Sequence, residues 1–237
     1  MNFSLIIPCY NESKNIPILI HKYREFLKSK NNELILVDNG STDRTKYYFN
    51  KIKKKNIKKI YIKKNIGFGN GIKKGLSKAK GEFLIYSHAD LEVDPNDIGR
   101  AIKILVKKKY IKRIFIKGNR INKKKNYWTL SDRFFSYSLT IFSSILFLKK
   151  LEDIHAQPVM FHKSLLRKMK YLPNDFSIDL AIYVYAKIEK LFIVRFPVNF
   201  NKKKRIYGQG SSDSLYKKIK GSLEQLFGSI VILYKLI

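Results

Sequence analysis

The chain has 237 residues, 45% of them hydrophobic, with 49 Lys and Arg against 18 Asp and Glu and a formal net charge of +31. That length and apolar content support one good core and exclude wholesale disorder, and the single Cys9 excludes an internal disulfide. Such a charge opposes compaction and accompanies a polyanionic partner, nucleic acid or an anionic membrane, unless it only mirrors a lysine-rich composition. The basic runs at 53–55, 107–109, 123–125 and 202–205 are spread along the chain, which speaks against a disordered basic arm. No basic segment precedes the first apolar run, and the longest nearly uncharged stretch, 136–148, is too short for a bilayer span, which needs ~20 apolar residues. A protein of the cytoplasmic side is expected.

Residues 3–8 form an apolar run with adjacent isoleucines. Asn11-Glu12-Ser13 follows, and then Ile16, Leu19, Ile20, Tyr23, Phe26 and Leu27 recur at helical spacing, so strand, loop and helix are expected. Residues 33–37 repeat the pattern and end on Asp38-Asn39-Gly40-Ser41-Thr42-Asp43, where Asn-Gly favours a turn and Ser41 or Thr42 caps the helix carrying Tyr47 and Phe49. A third strand over 57–62 leads to Gly67, Gly69, Gly71 and Gly75, which let the backbone come close to something before a helix running to Lys80. The fourth strand, 82–86, ends in Ser87-His88-Ala89-Asp90-Leu91-Glu92-Val93-Asp94-Pro95. This alternation predicts a parallel, doubly wound α/β sheet. Ligands collect beyond the carboxyl ends of such strands, so Asp90 is the first candidate for chemistry, with a loop acid as the equal alternative; Asp94 reads as a helix cap. Asp38, the glycines and Asp90 fall at one edge of the sheet, which suggests a nucleotide site.

Four segments in succession, Ile7-Pro8-Cys9-Tyr10-Asn11-Glu12, Val37-Asp38-Asn39-Gly40-Ser41-Thr42-Asp43, Asn65-Ile66-Gly67-Phe68-Gly69 and His88-Ala89-Asp90-Leu91, resemble the signatures of family 2 glycosyltransferases of the GT-A fold. They span roughly the first half of the chain. Within the family the chain is most similar to the dolichyl-phosphate mannose synthase and bacterial polyprenyl-phosphate glycosyltransferase branch. The resemblance implies that Pro8, Tyr10, Glu12 and Asp38 hold the base and ribose of a nucleoside diphosphate sugar, that Asn65 and Gly67 line its pocket, and that Asp90 binds Mg2+ or Mn2+ as the acid of an Asp-x-Asp motif. The chain departs from the pattern at two positions: His88 stands where that motif begins with Asp, and Asn39 where Val-Asp-Asp ends. His88 can donate to a diphosphate, or ligate a metal as neutral imidazole, but it supplies no negative charge.

In the second half, 112–117 reads as a strand, and Gly118-Asn119-Arg120 resembles the family's Gly-x-Arg segment at the sugar site. Residues 128–148, with Trp128 and five further aromatics among them, form one helix or two, mostly as core packing, with part suited to a membrane interface. Asp153-Ile154-His155-Ala156-Gln157-Pro158 resembles the family segment that sets an acid beside the acceptor. Asp153 is then the base for a hydroxyl acceptor, or a positioning group for a phosphate acceptor that is already ionised. His155 reads as a satisfied core residue, with a ligand as the second reading. A helix over 175–190 contains Asp179, with Leu180, Tyr183 and Val184 on its apolar face, and a strand over 191–200 follows. The run from Lys202 to Ser212 resembles the family's Arg-x-x-Gly-x-Ser loop, in which Arg205 reaches the donor diphosphate with its planar fork; the serine, Ser211, is displaced by one position. Residues 215–237 read as an amphipathic helix, docked on the domain or resting on a membrane.

The expectation is thus a GT-A domain over 1–212 with a C-terminal amphipathic helical tail over 213–237, peripheral on the cytoplasmic membrane face. It would be an inverting hexosyltransferase using Asp153, Asp90 and Arg205 for catalysis, a nucleoside diphosphate sugar as donor, and a lipid phosphate, or secondly a glycan hydroxyl, as acceptor. An anionic membrane surface is an expected partner. Nucleic acid is not, because the lysines are scattered and the strand-end acids are ordered, although a charge-driven nucleic-acid binder is the competing class. A catalytically silent scaffold, suggested by His88 and Asn39, is the third reading.

Overall fold

Apolar runs bounded by turn residues become strands, and the helically spaced runs between them become helices. The computed structural model describes residues 1–120, 129–198 and 214–236. The strands are β1 (Phe3–Cys9), β2 (Glu33–Asp38), β3 (Ile57–Tyr61), β4 (Phe83–Tyr86), β5 (Ile114–Arg120), β6 (Val159–His162) and β7 (Phe192–Val198). The helices are α1 (Asn15–Lys22), α2 (Thr45–Lys51), α3 (Phe68–Lys78), α4 (Asn96–Val106), α5 (Leu130–Leu146), α6 (Ile178–Ile188) and α7 (Leu215–Leu236). The strands form one sheet in the order β3-β2-β1-β4-β6-β5-β7, parallel except for β6, which runs antiparallel to both neighbours.

Both faces of the sheet are covered, which is why its strands read as continuous apolar runs rather than alternating ones. Leu5, Ile7, Leu34, Leu36 and Ile85 face one core, against α1, α2 and α4; Ile6, Ile35, Val37 and Leu84 face the other, against α3 and α6. Every residue of β1 is buried, and each fully buried Leu or Ile contributes about 1.5–3 kcal/mol of transfer free energy. On the second face α3 lies so close that a Cβ on Gly75 would stand 2.2 Å from Ile6 Cγ2. Only glycine allows that approach.

Several local readings change. The strand expected over 112–117 begins at Ile114, because Tyr110 turns at φ 55° and the Arg113 N–H donates to the Tyr110 carbonyl at 2.8 Å, winding Ile111–Arg113 into a 3-10 turn. Neither Ser41 nor Thr42 caps α2, whose N-cap position is Arg44; Asp43 just before it accepts at Oδ1 from the Thr45 N–H at 2.9 Å. Asp94 behaves as expected, its Oδ1 accepting from the Asn96 N–H at 3.0 Å at the start of α4. The run over 128–148 is a single helix, opened by a capping box between Thr129 and Asp132. Much of it is not core packing: Leu130, Phe134, Tyr137, Ile141 and Ile145 are exposed. Helix α6 is buried all round from Ile178 to Ala186 rather than along one face, and α7 packs beside α5 and α6.

Candidate active site

The sheet order reverses between β1 and β4, since the chain leaves β1 toward β2 and β3 and then crosses to start the other wing with β4. Such a switch point opens a crevice at the carboxyl ends of the parallel strands. The loops after β1, β2, β3 and β4 meet this edge. Because β6 is antiparallel, the segment before it, 151–158, arrives at the same edge.

On the β1–β3 side three loops are interlocked. Asn11, at φ 57°, turns its Oδ1 to accept from the Thr42 N–H at 2.8 Å, while its own N–H donates to Ser41 Oγ at 3.0 Å. The Glu12 N–H donates to Thr45 Oγ1 at 2.9 Å, and the buried Glu12 carboxylate accepts from Asn15. Asp38, 4% exposed, accepts from the Ser41 N–H at 2.9 Å. Asn39 donates to the Gly67 carbonyl at 2.9 Å and to Asn65 Oδ1 at 3.4 Å, and Asn65 Oδ1 also accepts from the Gly67 N–H at 2.8 Å. The buried Asn39 Oδ1 has no hydrogen-bond partner among the described residues. Pro8 lies at the end of β1, its Cβ 2.8 Å from where a Cβ on Gly71 would be, and Tyr10 just beyond is 47% exposed. Pro8, Tyr10, Glu12, Asp38, Asn65 and Gly67 therefore belong to one loop cluster.

The glycine series has a structural cause. Gly67 has φ 119°, and a Cβ there would stand 2.3 Å from the Asn174 carbonyl oxygen; one on Gly69 would stand 2.5 Å from that of Pro173. What the backbone comes close to is the 173–175 segment leading into α6, and the Asn70 N–H bonds Asn174 O at 2.9 Å. Phe68 stacks on Phe176, with centroids 5.0 Å apart, and lies 4.9 Å from the His88 ring. His88 is thereby wedged against α3 beside Asp90. Asp90 is 9% exposed and its Oδ1 accepts from the Glu92 N–H at 3.1 Å, in a turn where Leu91 adopts φ 63°.

On the β5–β6 side, Asp153 is gripped by Arg120. One carboxylate oxygen accepts from the Arg120 N–H at 2.8 Å, and the other accepts from Nε at 2.9 Å and from Nη2. Both residues are buried. Two groups that sequence reasoning did not assign, Lys117 and Asp179, complete this side. Lys117, fully buried, donates to the carbonyls of Ile154 and, at 2.8 Å, Ala156, so it pins the segment carrying Asp153. Burial pushes its ammonium down to about 8 against the opposing pull of Asp179 and Asp153. Asp179 accepts from Tyr86 OH at 2.8 Å and meets His155 Nδ1 at 3.1 Å, and His155 Nε2 meets Gln225 Oε1 of α7 at 2.8 Å. Burial raises the Asp179 carboxyl, but the His155 hydrogen bond and the charges of His155, Lys117 and His88 outweigh it and hold the carboxyl below its ordinary value. His155 is thus a fully bonded bridge, as its reading as a satisfied residue expects. The only sequence signal for Lys117 and Asp179 is a charged residue inside an apolar run. Arg205 and Ser211 lie outside the described residues.

The model of the family described as "Glycosyl transferase family 2" matches residues 4–170. The chain belongs to that family. A dolichol-phosphate mannosyltransferase of Pyrococcus furiosus is 27% identical over 203 residues, covering 83% of this chain and 56% of that protein. An undecaprenyl-phosphate 4-deoxy-4-formamido-L-arabinose transferase of Pectobacterium carotovorum is 33% identical over 107 residues, 43% of this chain and 33% of that protein. This family 2 chain therefore spans about half, or less, of the length of the curated relatives it matches. Among solved structures, glucosyl-3-phosphoglycerate synthase from Mycobacterium tuberculosis in complex with UDP superposes with a TM-score of 0.72 over 98% of this chain and 80% of that one, at 14% identity. The same enzyme with Mn2+, UDP and phosphoglyceric acid gives 0.69 at 13% identity, over 98% of this chain and 78% of that one. The fold of this family 2 chain is GT-A.

No cluster of three or more His, Cys, Asp and Glu side chains able to hold a metal occurs among the described residues. The donor set fits a hard cation that shares its shell with a ligand's phosphates: Mg2+ is commonly held by one or two carboxylates plus substrate oxygens, and Asp90 offers one carboxylate at the switch point.

Proposed function

We propose that this family 2 glycosyltransferase moves a hexose, with inversion, from a nucleoside diphosphate sugar to a polyprenyl phosphate at a membrane surface. The observation that carries the reading is the pair of buried carboxylates at strand ends, Asp38 as the last residue of β2 and Asp90 just past β4, flanking the sheet reversal in a family whose model covers residues 4–170. Asp38 accepts from the nucleobase, Pro8 and Tyr10 border the base and ribose, and Glu12 and Asn65 hold the loops that form the pocket. Gly67 gives that pocket its close backbone approach, and the unpartnered Asn39 Oδ1 offers an acceptor to a ligand N–H or hydroxyl.

Asp90 would hold Mg2+ or Mn2+, whose charge stabilises a leaving diphosphate. His88 adds a hydrogen bond to the same group, and Arg205 is assigned to it on sequence pattern alone. The phosphate acceptor is favoured over a hydroxyl by the state of Asp153. Arg120 holds both oxygens of its carboxylate, through its backbone N–H and its guanidinium, and a base so held gives up a buried ion pair before it can take a proton. An ionised phosphate needs no base, and the Arg120–Asp153 pair then serves to orient sugar and acceptor. The relatives named for polyprenyl-phosphate acceptors point the same way.

The test is calorimetric titration of UDP, GDP and CDP, with and without Mn2+ or Mg2+, on the wild type and on Asp90→Asn. Binding of one nucleotide that needs the cation, and that weakens on the order of 10-fold to 100-fold in the variant, is expected. Failure of all three nucleotides to bind under either condition overturns the reading.

A further inference from the structure

Helices α5 and α7 present one continuous apolar surface. On α5 the exposed residues are Leu130, Phe134, Tyr137, Ile141 and Ile145, with Leu148 just past its end; on α7 they are Tyr216, Ile219, Leu223, Phe227, Ile230 and Tyr234. At 3.6 residues per turn each set occupies an arc of about 80° on its helix. The opposite sides are buried in a shared core, through Leu139 on α5, Phe147 at its C-terminal end and Ile232 on α7. The helices run parallel and side by side. Near their N-terminal ends Lys218 Nζ reaches Asp132 at 2.9 Å and Ser131 Oγ at 3.0 Å, and further along Ser143 Oγ meets Ser229 Oγ at 3.4 Å. Because both inner sides enter the same core, both outer stripes face away from the domain together. A contiguous apolar patch of two long helices is unusual on a surface left to water.

The charges around the patch identify what covers it. Residues 134–148 contain no charged side chain, while Lys149, Lys150, Lys217, Lys220 and Lys235 are exposed at the ends and flanks of the two stripes, with Glu224 the one exposed acid on α7. Five of the stripe residues are Tyr or Phe, side chains that suit the level of lipid headgroups. A second copy of a chain with net charge +31 is repelled; a bilayer rich in anionic lipid is attracted. Neither helix is long and apolar enough to cross a membrane, so the surface lies on a bilayer rather than in it. The inner side of α7 touches the candidate site, through Gln225 and His155 at 2.8 Å.

We propose that the α5–α7 face docks flat on an anionic lipid bilayer, with both helices parallel to the membrane plane and the lysines at headgroup level. This deepens the lipid-phosphate reading by naming the surface through which the chain meets its acceptor's membrane, but its test does not depend on nucleotide binding.

The experiment is co-flotation of the full chain with vesicles of phosphatidylcholine alone or mixed with phosphatidylglycerol, over a salt series, for the wild type, Ile141→Glu/Phe227→Glu and the milder Ile141→Ser/Phe227→Ser. Nucleotide titration and circular dichroism on the same preparations report the donor site and the fold. Expected are wild-type binding to the anionic vesicles that falls with salt, by roughly fivefold for each lysine screened from the surface, and a loss of about tenfold or more in the glutamate variant with a smaller loss in the serine variant. Unchanged nucleotide binding in both variants would assign the loss to the face. Equal flotation with neutral and anionic vesicles, wild-type failure to float, retained binding in the folded glutamate variant, or a wild-type dimer in solution that the same substitutions dissociate would each overturn the proposal.

Discussion

Lys117 offers the sharpest test of the packing behind the candidate site. It is fully buried, its ammonium bonded to two carbonyls of the 151–158 segment and 5.4 Å from the Tyr183 ring centre. Its pKa falls from 10.5 to about 8, first because of burial. Below the folded value both folded and unfolded chains carry the proton, and the charged group costs the folded state the whole difference, about 3 kcal/mol at ~1.4 kcal/mol per pH unit. Between the two values the unfolded chain binds more protons, so stability rises with pH through that window and levels off above it. Lys117→Met removes the group and leaves two buried carbonyls without a donor, a loss of about 1–3 kcal/mol each that does not depend on pH. The measurement is urea unfolding of wild type and variant, followed by circular dichroism, from about pH 7 to about pH 11. Titration of the other lysines cancels in the difference between the two proteins. Wild-type stability relative to the variant should climb by about 3 kcal/mol across the window. A flat difference would refute the burial of a charged Lys117, and with it the account of what holds the Asp153 segment in place.

Two further outcomes follow from the same interior. Arg120→Met removes the guanidinium that neutralises the buried Asp153 carboxylate and should destabilise the fold by about 3–5 kcal/mol, while Arg120→Met combined with Asp153→Asn, which removes the charge and suits the φ of 46° at that position, should recover part of that in a denaturation series. Gly67→Ala must accommodate a Cβ 2.3 Å from the Asn174 carbonyl at φ 119°; a loss of roughly 2–3 kcal/mol is expected in thermal melts, with weaker nucleotide binding because Asn65 shares the loop.

The parallel half of the fold was legible because its causes are local. Residues 3–8, 33–37 and 82–86 are mostly apolar on both faces and 57–62 alternates less regularly with lysine, yet each ends in a polar turn and the intervening runs carry helical spacing. The acids of the candidate site were legible for the same reason, since Asp38 and Asp90 stand at strand ends whatever the tertiary details. What escaped depends on partners far along the chain. Lys117 in an apolar strand gives no hint that its acceptors are 37 and 39 residues away. Asp179 lies on a helix whose periodicity is silent about Tyr86 and His155. The four-residue strand β6 is too short to show a period. The stripe on α5 reads mostly as core, with only part suited to a membrane interface, because apolar residues occur on both sides of that helix and sequence spacing does not say which side the domain covers.

The reversed direction of β6 has a consequence for how such a chain can diverge. Everything that borders the proposed nucleotide pocket from β1 through Asp90 is contiguous in sequence, whereas the opposite bank is assembled from β5, the 151–158 segment and α7, joined to the first half through the short β4–β6 ladder and the packing of the 173–176 segment on the glycine loop. Drift, insertion or exchange within the second half can therefore reshape one bank of the crevice while the other keeps its loop-to-loop hydrogen bonds intact. A lineage built on this topology can vary one bank of the proposed site while the other stays as it is.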